Sequence, residues 1–283
     1  MSIFNAGAGK VVLYSNKTCP FAHRAWIVLV EKGIPHEFVT VPLSGELTKM
    51  KAGGVASAPA WADSGLALEE IQKIKDDYKA AINSTGEVPT IVVRGAGFAG
   101  GAFDDASGDV VVREADVCAE FLDDAFPDSG TRLLPADAYL RSKTRHYLKI
   151  LGGQHGVSAH YGLLKNQDPA NDVGKRDSLY KGLATFAEMA DTTGPFFLGA
   201  EISFADLMLA PFYHRWSALL PHWRGVPYIP VGDDEHPWAP RMAAWAAALE
   251  AHPAYVHTKL DAQRAIDAYK GYAGDRGQST VGA

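Results

Sequence analysis

The spacing of apolar and polar positions divides the chain into an α/β first half and a helical second half. Residues 10–14 and the alternating stretch 35–43 have the pattern of β-strands. Residues 21–32, between them, have the spacing of an amphipathic helix, which Gly33 ends. A strand, a helix and a second strand in this order predict a βαβ unit.

The next part of the chain predicts a loop, a helix, a hairpin and a further helix. Residues 44–65 are rich in Gly, Ala, Ser and Pro and predict a long surface loop. Residues 66–83 have a helical pattern. The strands 88–93 and 110–113 are expected to form a hairpin with a glycine-rich loop, and an amphipathic helix follows over 114–126.

From Leu134 onward the strand patterns largely disappear. Helices are predicted over 138–151, 177–191, 203–219 and 238–250. We therefore expect two domains. The first is an α/β domain over 1–130 with an insertion at about 44–65, and the second is an all-α domain over 131–283 whose tail, 271–283, is disordered.

The composition is that of a globular protein that works without nucleic acid or a membrane. A length of 283 residues suits two modest domains, and 47% hydrophobic with 21% charged residues is ordinary for such a fold. The formal charge of −6 comes without a block of Lys or Arg, which argues against a nucleic-acid partner. No apolar run approaches the roughly 18 residues of a bilayer span. Residues 1–10 do not have the pattern of a secretory signal, so we expect a cytoplasmic protein.

Cys19 is the candidate reactive residue. It lies between a predicted strand and a predicted helix, and Pro20 is typical of a first helical turn, so Cys19 is expected close to the N-cap. Backbone N–H groups and the positive end of the helix dipole favour the thiolate there, which lowers a cysteine's pKa from its free value of about 8.5. The other cysteine, Cys118, falls in a different predicted element, so no disulfide is expected.

Several motifs resemble those of the glutathione transferase superfamily. Residues 18–24, Thr-Cys-Pro-Phe-Ala-His-Arg, are similar to the Cys-Pro-Phe-Ala-x-Arg motif of the omega class. Val88-Pro89 resembles the family's Val-Pro, whose peptide bond is cis, and residues 198–206 resemble the folding module of its helical domain. The resemblance implies a thioredoxin-like N-terminal domain, a helical C-terminal domain and glutathione as cosubstrate.

The resemblance also implies roles for individual residues around the thiol. Cys19 would be the nucleophile that forms a mixed disulfide with glutathione, and Phe21, in the same motif, would contribute to glutathione binding. Val88, which precedes the cis proline Pro89, would pair its N–H and C=O groups with the cysteinyl part of glutathione, as an added strand does.

At the ends of glutathione, the resemblance implies charged partners. Glu114 would meet the γ-glutamyl ammonium, and the helix that begins at Ala115 would meet the carboxylate. Lys75, thirteen residues before the valine of the Val-Pro motif, corresponds to the cation for the glycyl carboxylate, with Lys73 and Lys79 as alternatives. Ala115 replaces the family's serine, which removes a hydrogen bond of about 0.5–1.5 kcal/mol.

The sequence favours a monothiol mechanism. Ala22 stands where a dithiol oxidoreductase has its second cysteine, so the thiol that regenerates Cys19 would come from solution. This chemistry suits deglutathionylation, dehydroascorbate reduction and the reduction of glutathionyl conjugates, and the sequence does not choose among them. The insertion at 44–65 departs from the family pattern. It is expected to cover or reshape the thiol pocket, or to admit a thiol larger than glutathione.

Two other functions stay open. In a conjugating glutathione transferase a hydroxyl stabilises the glutathione thiolate, and Tyr14, Ser15 and Thr18 are the available donors. The non-enzymatic chloride intracellular channel proteins are similar to the omega class and share its Cys-Pro-Phe start, but they need a first helix that enters a membrane. The charged and histidine side chains of residues 21–32 argue against that interpretation.

The second substrate is expected near the aromatic residues of the helical domain, where Tyr213 and Trp216 are the candidates for its pocket. It would be a small hydrophobic or thiol-linked compound, and the resemblance implies a homodimer. His146, His155 and His160 do not have the spacing of a metal site, so no metal is expected.

Overall fold

A computed structural model describes residues 9–95, 108–231 and 235–276 of the chain. The chain divides into two compact units, Met1–Thr131 and Arg132–Ala283. The glycine-rich hairpin loop predicted from the sequence falls mostly on residues 96–107, which lie outside the described residues.

The first unit contains a four-stranded mixed sheet. Its strands are β1 (Lys10–Ser15), β2 (His36–Thr40), β3 (Thr90–Arg94) and β4 (Val110–Arg113), in the order β2-β1-β3-β4. β1 and β2 are parallel, whereas β3 is antiparallel to both β1 and β4. The predicted βαβ unit and the predicted hairpin are therefore both confirmed. The continuous apolar runs of β1 and β3 follow from their central places in the sheet, where both faces are buried.

The helices of the first unit are α1 (Pro20–Glu31), α2 (Ser44–Gly53), α3 (Leu68–Ala81) and α4 (Ala115–Ala125). α1 and α4 pack against each other. At the C-terminal end of α1, the ammonium of Lys32 lies 3.0 Å from a carboxylate oxygen of Asp123 on α4, and both side chains are fully buried. This ion pair joins the two helices.

The prediction of a structureless loop over 44–65 is wrong. α2 covers its first half, and a 3₁₀ turn, Val55–Ser57, follows. The segment has a hydrophobic cluster of its own, which joins it to α3 and consists of Leu47, Met50, Ala58, Trp61 and Ile71. The high content of small residues concealed this packing, because the apolar residues find their partners across a turn and on the next helix.

The second unit is all-helical, as predicted. Its helices are α5 (Ala138–Leu151), α6 (Val157–Lys165), α7 (Asp172–Met189), α8 (Phe204–Arg224), α9 (Ala239–Glu250), α10 (Pro253–Thr258) and α11 (Ala262–Ala273). The sequence patterns predicted α5, α7, α8 and α9, with α7 starting five residues too late, and missed α6, α10 and α11. Two of the missed helices, α6 and α10, are short, with nine and six residues. α11 was missed because it was assigned in part to the tail, although its apolar face is well defined.

α8 is the central helix of this unit, and its start is tightly bonded. Asp206 is fully buried and accepts hydrogen bonds from the N–H of Phe197, the N–H and hydroxyl of Ser203 and the indole N–H of Trp245, at 2.6–2.9 Å. Burial raises the pKa of Asp206 to about 6. This network fixes the point where α8 begins.

The predicted disorder of the C-terminal tail is wrong for its first part. α11 continues to Ala273, and Arg276 lies 2.8 Å from a carboxylate oxygen of Asp172, which is itself buried. The remaining tail, residues 277–283, lies outside the described residues. Within the described ranges, no helix is long and apolar enough to cross a membrane.

Candidate active site

The strand register brings four chain segments to one edge of the sheet. Ser15, at the end of β1, pairs with Thr40, at the end of β2. Tyr14 pairs with Thr90, the first residue of β3, and Thr90 in turn pairs with Arg113, the last residue of β4. The segments after β1, after β2, before β3 and after β4 therefore begin or end side by side.

Cys19 lies in the first of these segments and is the N-cap residue of α1, as predicted. Its backbone is extended (φ −81°, ψ 118°), and its Sγ accepts a hydrogen bond from the N–H of Ala22 at 3.5 Å. Pro20 occupies the first helical turn. The residue is half-buried, and its sulfur contacts the helix N-terminus, where the dipole and the N–H groups favour a thiolate.

A tight turn holds Cys19 in this position. The Cys19 N–H donates to the carbonyl of Asn16 at 3.1 Å. The side-chain carbonyl of Asn16 accepts the Thr18 N–H at 2.9 Å and lies 2.7 Å from the Thr18 hydroxyl. We call residues 16–19 the Cys19 turn. Because an Asx-type turn fixes the backbone two residues ahead, Asn16 holds the backbone that carries the thiol.

Glu46, on α2, reaches the Cys19 turn and was missed by the sequence analysis. Its Oε2 accepts hydrogen bonds from the Asn16 side-chain amide at 2.8 Å, the Leu43 N–H at 2.9 Å and the Trp61 indole N–H at 3.3 Å. Its Oε1 lies 3.2 Å from the Thr18 hydroxyl. The side chain is buried, and this burial raises its pKa. A helix prediction over 44–53 would have placed Glu46 in a first turn, but no local signal indicates its contact with the Cys19 turn.

The segment before β3 carries Val88 and Pro89. Their peptide bond is cis, which confirms the prediction. The carbonyl of Glu87, just before them, accepts hydrogen bonds from the Asn83 side-chain amide at 3.0 Å and from the Tyr78 hydroxyl at the end of α3. α3 thus anchors the Val-Pro segment against the sheet.

Lys75, on α3, also helps to hold the segment before β3. Its side chain is buried, and its ammonium donates to the carbonyl of Gly86. Burial lowers the pKa of Lys75. The alternative cation Lys73 is exposed and paired with Asp77 at 2.6 Å. The contact of Lys75 with the glycyl carboxylate of glutathione stays a prediction, since its ammonium is bonded within the protein.

The segment after β4 carries Glu114 and Ala115. Glu114 is the N-cap of α4 and has a φ of 71°; it is the sole non-glycine residue with positive φ among those the structure describes. Its side chain is exposed, whereas Ala115, the first helical residue, is buried. A carboxylate and the N–H groups of a helix start therefore occur together here, which suits a ligand that carries an ammonium and a carboxylate. The roles of both residues stay predictions.

The remaining predicted residues lie in different surroundings. Phe21, in the first turn of α1, is half-buried, and the guanidinium carbon of Arg24 lies 5.7 Å from its ring centroid. Trp216 on α8 is fully buried, and its indole N–H donates to the carbonyl of His160 at 2.7 Å. Tyr213 is almost as buried, and this burial raises its pKa to about 12. Both α8 aromatics pack as core side chains, so a substrate pocket at these residues stays a prediction.

Cys118 lies in surroundings unlike those of Cys19. It is fully buried on α4, and its S–H donates to the carbonyl of Val112 at 3.2 Å. Burial raises the pKa of its thiol to about 12. Neither cysteine is in a disulfide. Cys19 is therefore the sulfur that the structure offers for chemistry.

Comparisons with known proteins agree with this arrangement. The family model "Glutathione S-transferase, N-terminal domain" matches residues 18–125, and "Glutathione S-transferase, C-terminal domain" matches residues 163–248. Glutathione S-transferase L1 of Arabidopsis thaliana is 25% identical over 93% of this chain and 87% of its own length. Glutathione S-transferase omega-1 of Mus musculus is 23% identical over 90% of this chain and 82% of its own.

A solved structure gives the same result. The crystal structure of glutathione transferase Omega 3C from Trametes versicolor has a TM-score of 0.66 and 26% identity, over 93% of this chain and 90% of that one. It shares the thioredoxin-like sheet domain and the helical domain described above. The chain therefore belongs to the glutathione transferase superfamily and is omega-like.

Proposed function

We propose that this protein is a glutathione-dependent thiol transferase that uses Cys19 as a single reactive thiol. The observation that carries the proposal is the position of Cys19 as the N-cap of α1, half-buried, with its Sγ against a helix N–H. Helix N-termini favour the thiolate, and the thiolate is the form that attacks disulfides. Membership of the family supports glutathione as the ligand.

The proposed cycle has two exchange steps. The Cys19 thiolate attacks the glutathionyl sulfur of a substrate R–S–SG, which forms Cys19–S–SG and releases RS⁻, protonated by water. A second glutathione thiolate attacks the same glutathionyl sulfur, forms oxidised glutathione and releases the Cys19 thiolate. Together the two steps convert R–S–SG and one glutathione thiol into R–SH and oxidised glutathione, so no other reductant is needed. Ala22, one turn after Cys19, has no thiol that could compete in the second step.

The residues at the same sheet edge suit the glutathionyl group. Val88 would pair with its cysteinyl backbone, as a strand is added to a sheet edge. Glu114 would pair with the γ-glutamyl ammonium, while the N–H groups at the start of α4 would bind the adjacent carboxylate. Lys75 would contribute positive charge on the side of α3. The register that aligns the ends of β1 and β4 with the start of β3 supports this assignment.

The contacts of the available hydroxyls favour a thiol mechanism over a conjugating one. The Thr18 hydroxyl faces Asn16 and Glu46, and the Tyr14 hydroxyl lies 3.0 Å from a guanidinium nitrogen of Arg94. Ser15 is almost fully buried. In contrast, the sulfur of Cys19 is half-buried at the helix start.

The setting of the protein is also part of the proposal. We infer a cytoplasmic homodimer, because both cysteines are outside disulfides and because the family resemblance implies a dimer. Light scattering coupled to size exclusion tests the dimer: a mass of about twice the 30.4 kDa chain is expected, and a single-chain mass would contradict it.

The experiment compares Cys19→Ser with Cys118→Ala, using a glutathionylated peptide and free glutathione. Cys19→Ser should lose turnover almost completely, and Cys118→Ala, which leaves the proposed nucleophile intact, should retain it. Mass spectrometry after exposure to oxidised glutathione should find one glutathionyl adduct per chain, at Cys19. Full thiol-transferase turnover in Cys19→Ser would overturn the proposal.

A further inference from the structure

Glu46 connects the inserted segment 44–65 to the Cys19 turn. Its four hydrogen-bond contacts come from three places: the turn itself, through Asn16 and Thr18; the start of its own helix, through Leu43; and the hydrophobic cluster of the insertion, through Trp61. One buried carboxyl group therefore bonds the insertion to the Cys19 turn.

The hydrogen-bond pattern indicates which protonation state completes this network. The Thr18 hydroxyl has one proton, yet it lies between two acceptors, Asn16 Oδ1 at 2.7 Å and Glu46 Oε1 at 3.2 Å. An ionised Glu46 can only accept, so one of the two contacts would lack a proton. If Oε1 carries a proton, it donates to Thr18, Thr18 donates to Asn16, and Oε2 still accepts its three N–H groups.

Burial favours the neutral form of this carboxyl group. It raises the pKa of Glu46 more than the hydrogen bonds of Glu46 lower it. The ammonium of Lys75, on α3, acts in the opposite direction, since a cation favours the carboxylate. Burial outweighs it, and the pKa of Glu46 is raised.

We propose that Glu46 is a positioning residue for Cys19: in its protonated form it completes the hydrogen bonds of the Cys19 turn and so holds the thiol at the helix start. Glu46 accepts a hydrogen bond from the side chain of Asn16, and the backbone carbonyl of Asn16 accepts one from the Cys19 N–H. Through these two bonds the inserted segment controls the position, and therefore the reactivity, of the thiol. This inference rests on the proposed function only for its effect on turnover.

The test measures the alkylation of Cys19 by iodoacetamide as a function of pH, in the full chain and without glutathione. Glu46→Ala should slow alkylation at neutral pH about three- to tenfold, the factor expected for about one hydrogen bond, and should move the pH midpoint upward. Glu46→Gln should react like the wild type, because its amide donates to Thr18 and its carbonyl accepts as Oε2 does. Glu70→Ala is the matched control, since Glu70 also accepts the N–H three residues before it, Ala67, but on the exposed start of α3.

Two results would overturn the inference. One is a Glu46→Ala rate and midpoint equal to those of Glu70→Ala; the other is a Glu46→Gln variant as slow as Glu46→Ala. If Glu46→Ala does not fold, Thr18→Val is the second variant, because it replaces the hydroxyl between the two acceptors with a methyl group. It should slow alkylation in the same way. An unchanged rate in Thr18→Val would equally refute the network. Because alkylation needs no glutathione, a failure of the proposed transferase activity would appear separately, in the turnover assay of the wild-type enzyme.

Discussion

Lys32→Met should strongly destabilise the first unit, because it leaves the buried carboxylate of Asp123 without its cation. The Lys32 ammonium and the Asp123 carboxylate are 3.0 Å apart, and neither side chain is exposed to solvent. The ammonium also lies 3.4 Å from the carbonyl of Thr131. Removing one member of a buried ion pair typically costs about 3–5 kcal/mol, since the other charge stays desolvated. That is a large part of the roughly 5–15 kcal/mol that stabilises a domain.

Hydrogen exchange followed by mass spectrometry measures this cost within the intact chain. The slowest amides of α1 and α4 should exchange about two to four orders of magnitude faster in Lys32→Met, the factor that corresponds to the lost free energy. The double variant Lys32→Met/Asp123→Leu should recover most of the protection, since two apolar side chains can replace a buried pair at little cost. Lys73→Met, which removes the exposed pair with Asp77, is the control and should change little. Unchanged exchange in Lys32→Met, or a double variant as unprotected as the single one, would refute the reasoning.

Three further predictions follow from single positions. Ala115→Ser should tighten glutathione binding about two- to tenfold by adding one hydrogen bond at the γ-glutamyl end; a calorimetric titration that finds equal affinities would contradict the placement of that end. Gly182→Ala should lower the melting temperature, because the added Cβ would lie 1.8 Å from the carbonyl oxygen of His155. The control is Gly174→Ala in the same helix, whose Cβ would meet nothing within 4 Å and which should keep the wild-type melting temperature. Equal melting temperatures for the two variants would count against this packing. Because the pKa of Asp206 is raised from 3.8 to about 6, its protonated form stabilises the fold fully below 3.8, and this contribution is lost as the pH rises through about 6. Asp206→Asn should therefore flatten the dependence of the unfolding free energy on pH in that window, and denaturant titrations with an unaltered slope would disprove the assignment.

The parts of the site that follow from local sequence were predictable. The order of strand, cysteine, proline and helix was sufficient to place Cys19 at an N-cap, since capping depends on neighbouring residues alone. The hairpin of β3 and β4 followed in the same way from two β-branched runs separated by a glycine-rich stretch.

The parts that depend on distant contacts were not predictable. Leu47 and Trp61 have no helical or strand period between them, and their burial comes from packing against Ile71 of the next helix. Lys75 was found by counting along the chain, but its bond to the carbonyl of Gly86 requires the loop before β3 to fold back onto α3. Glu46 contacts a turn about thirty positions earlier, which only the sheet register brings near.

The burial of Cys118 has a practical consequence for work on this protein in mixtures. Because Cys118 is buried, a thiol-directed probe applied to the native chain is expected to label Cys19 alone. Under the proposed function, the fraction of chains left unlabelled would equal the fraction that carries a mixed disulfide, measured without an engineered tag.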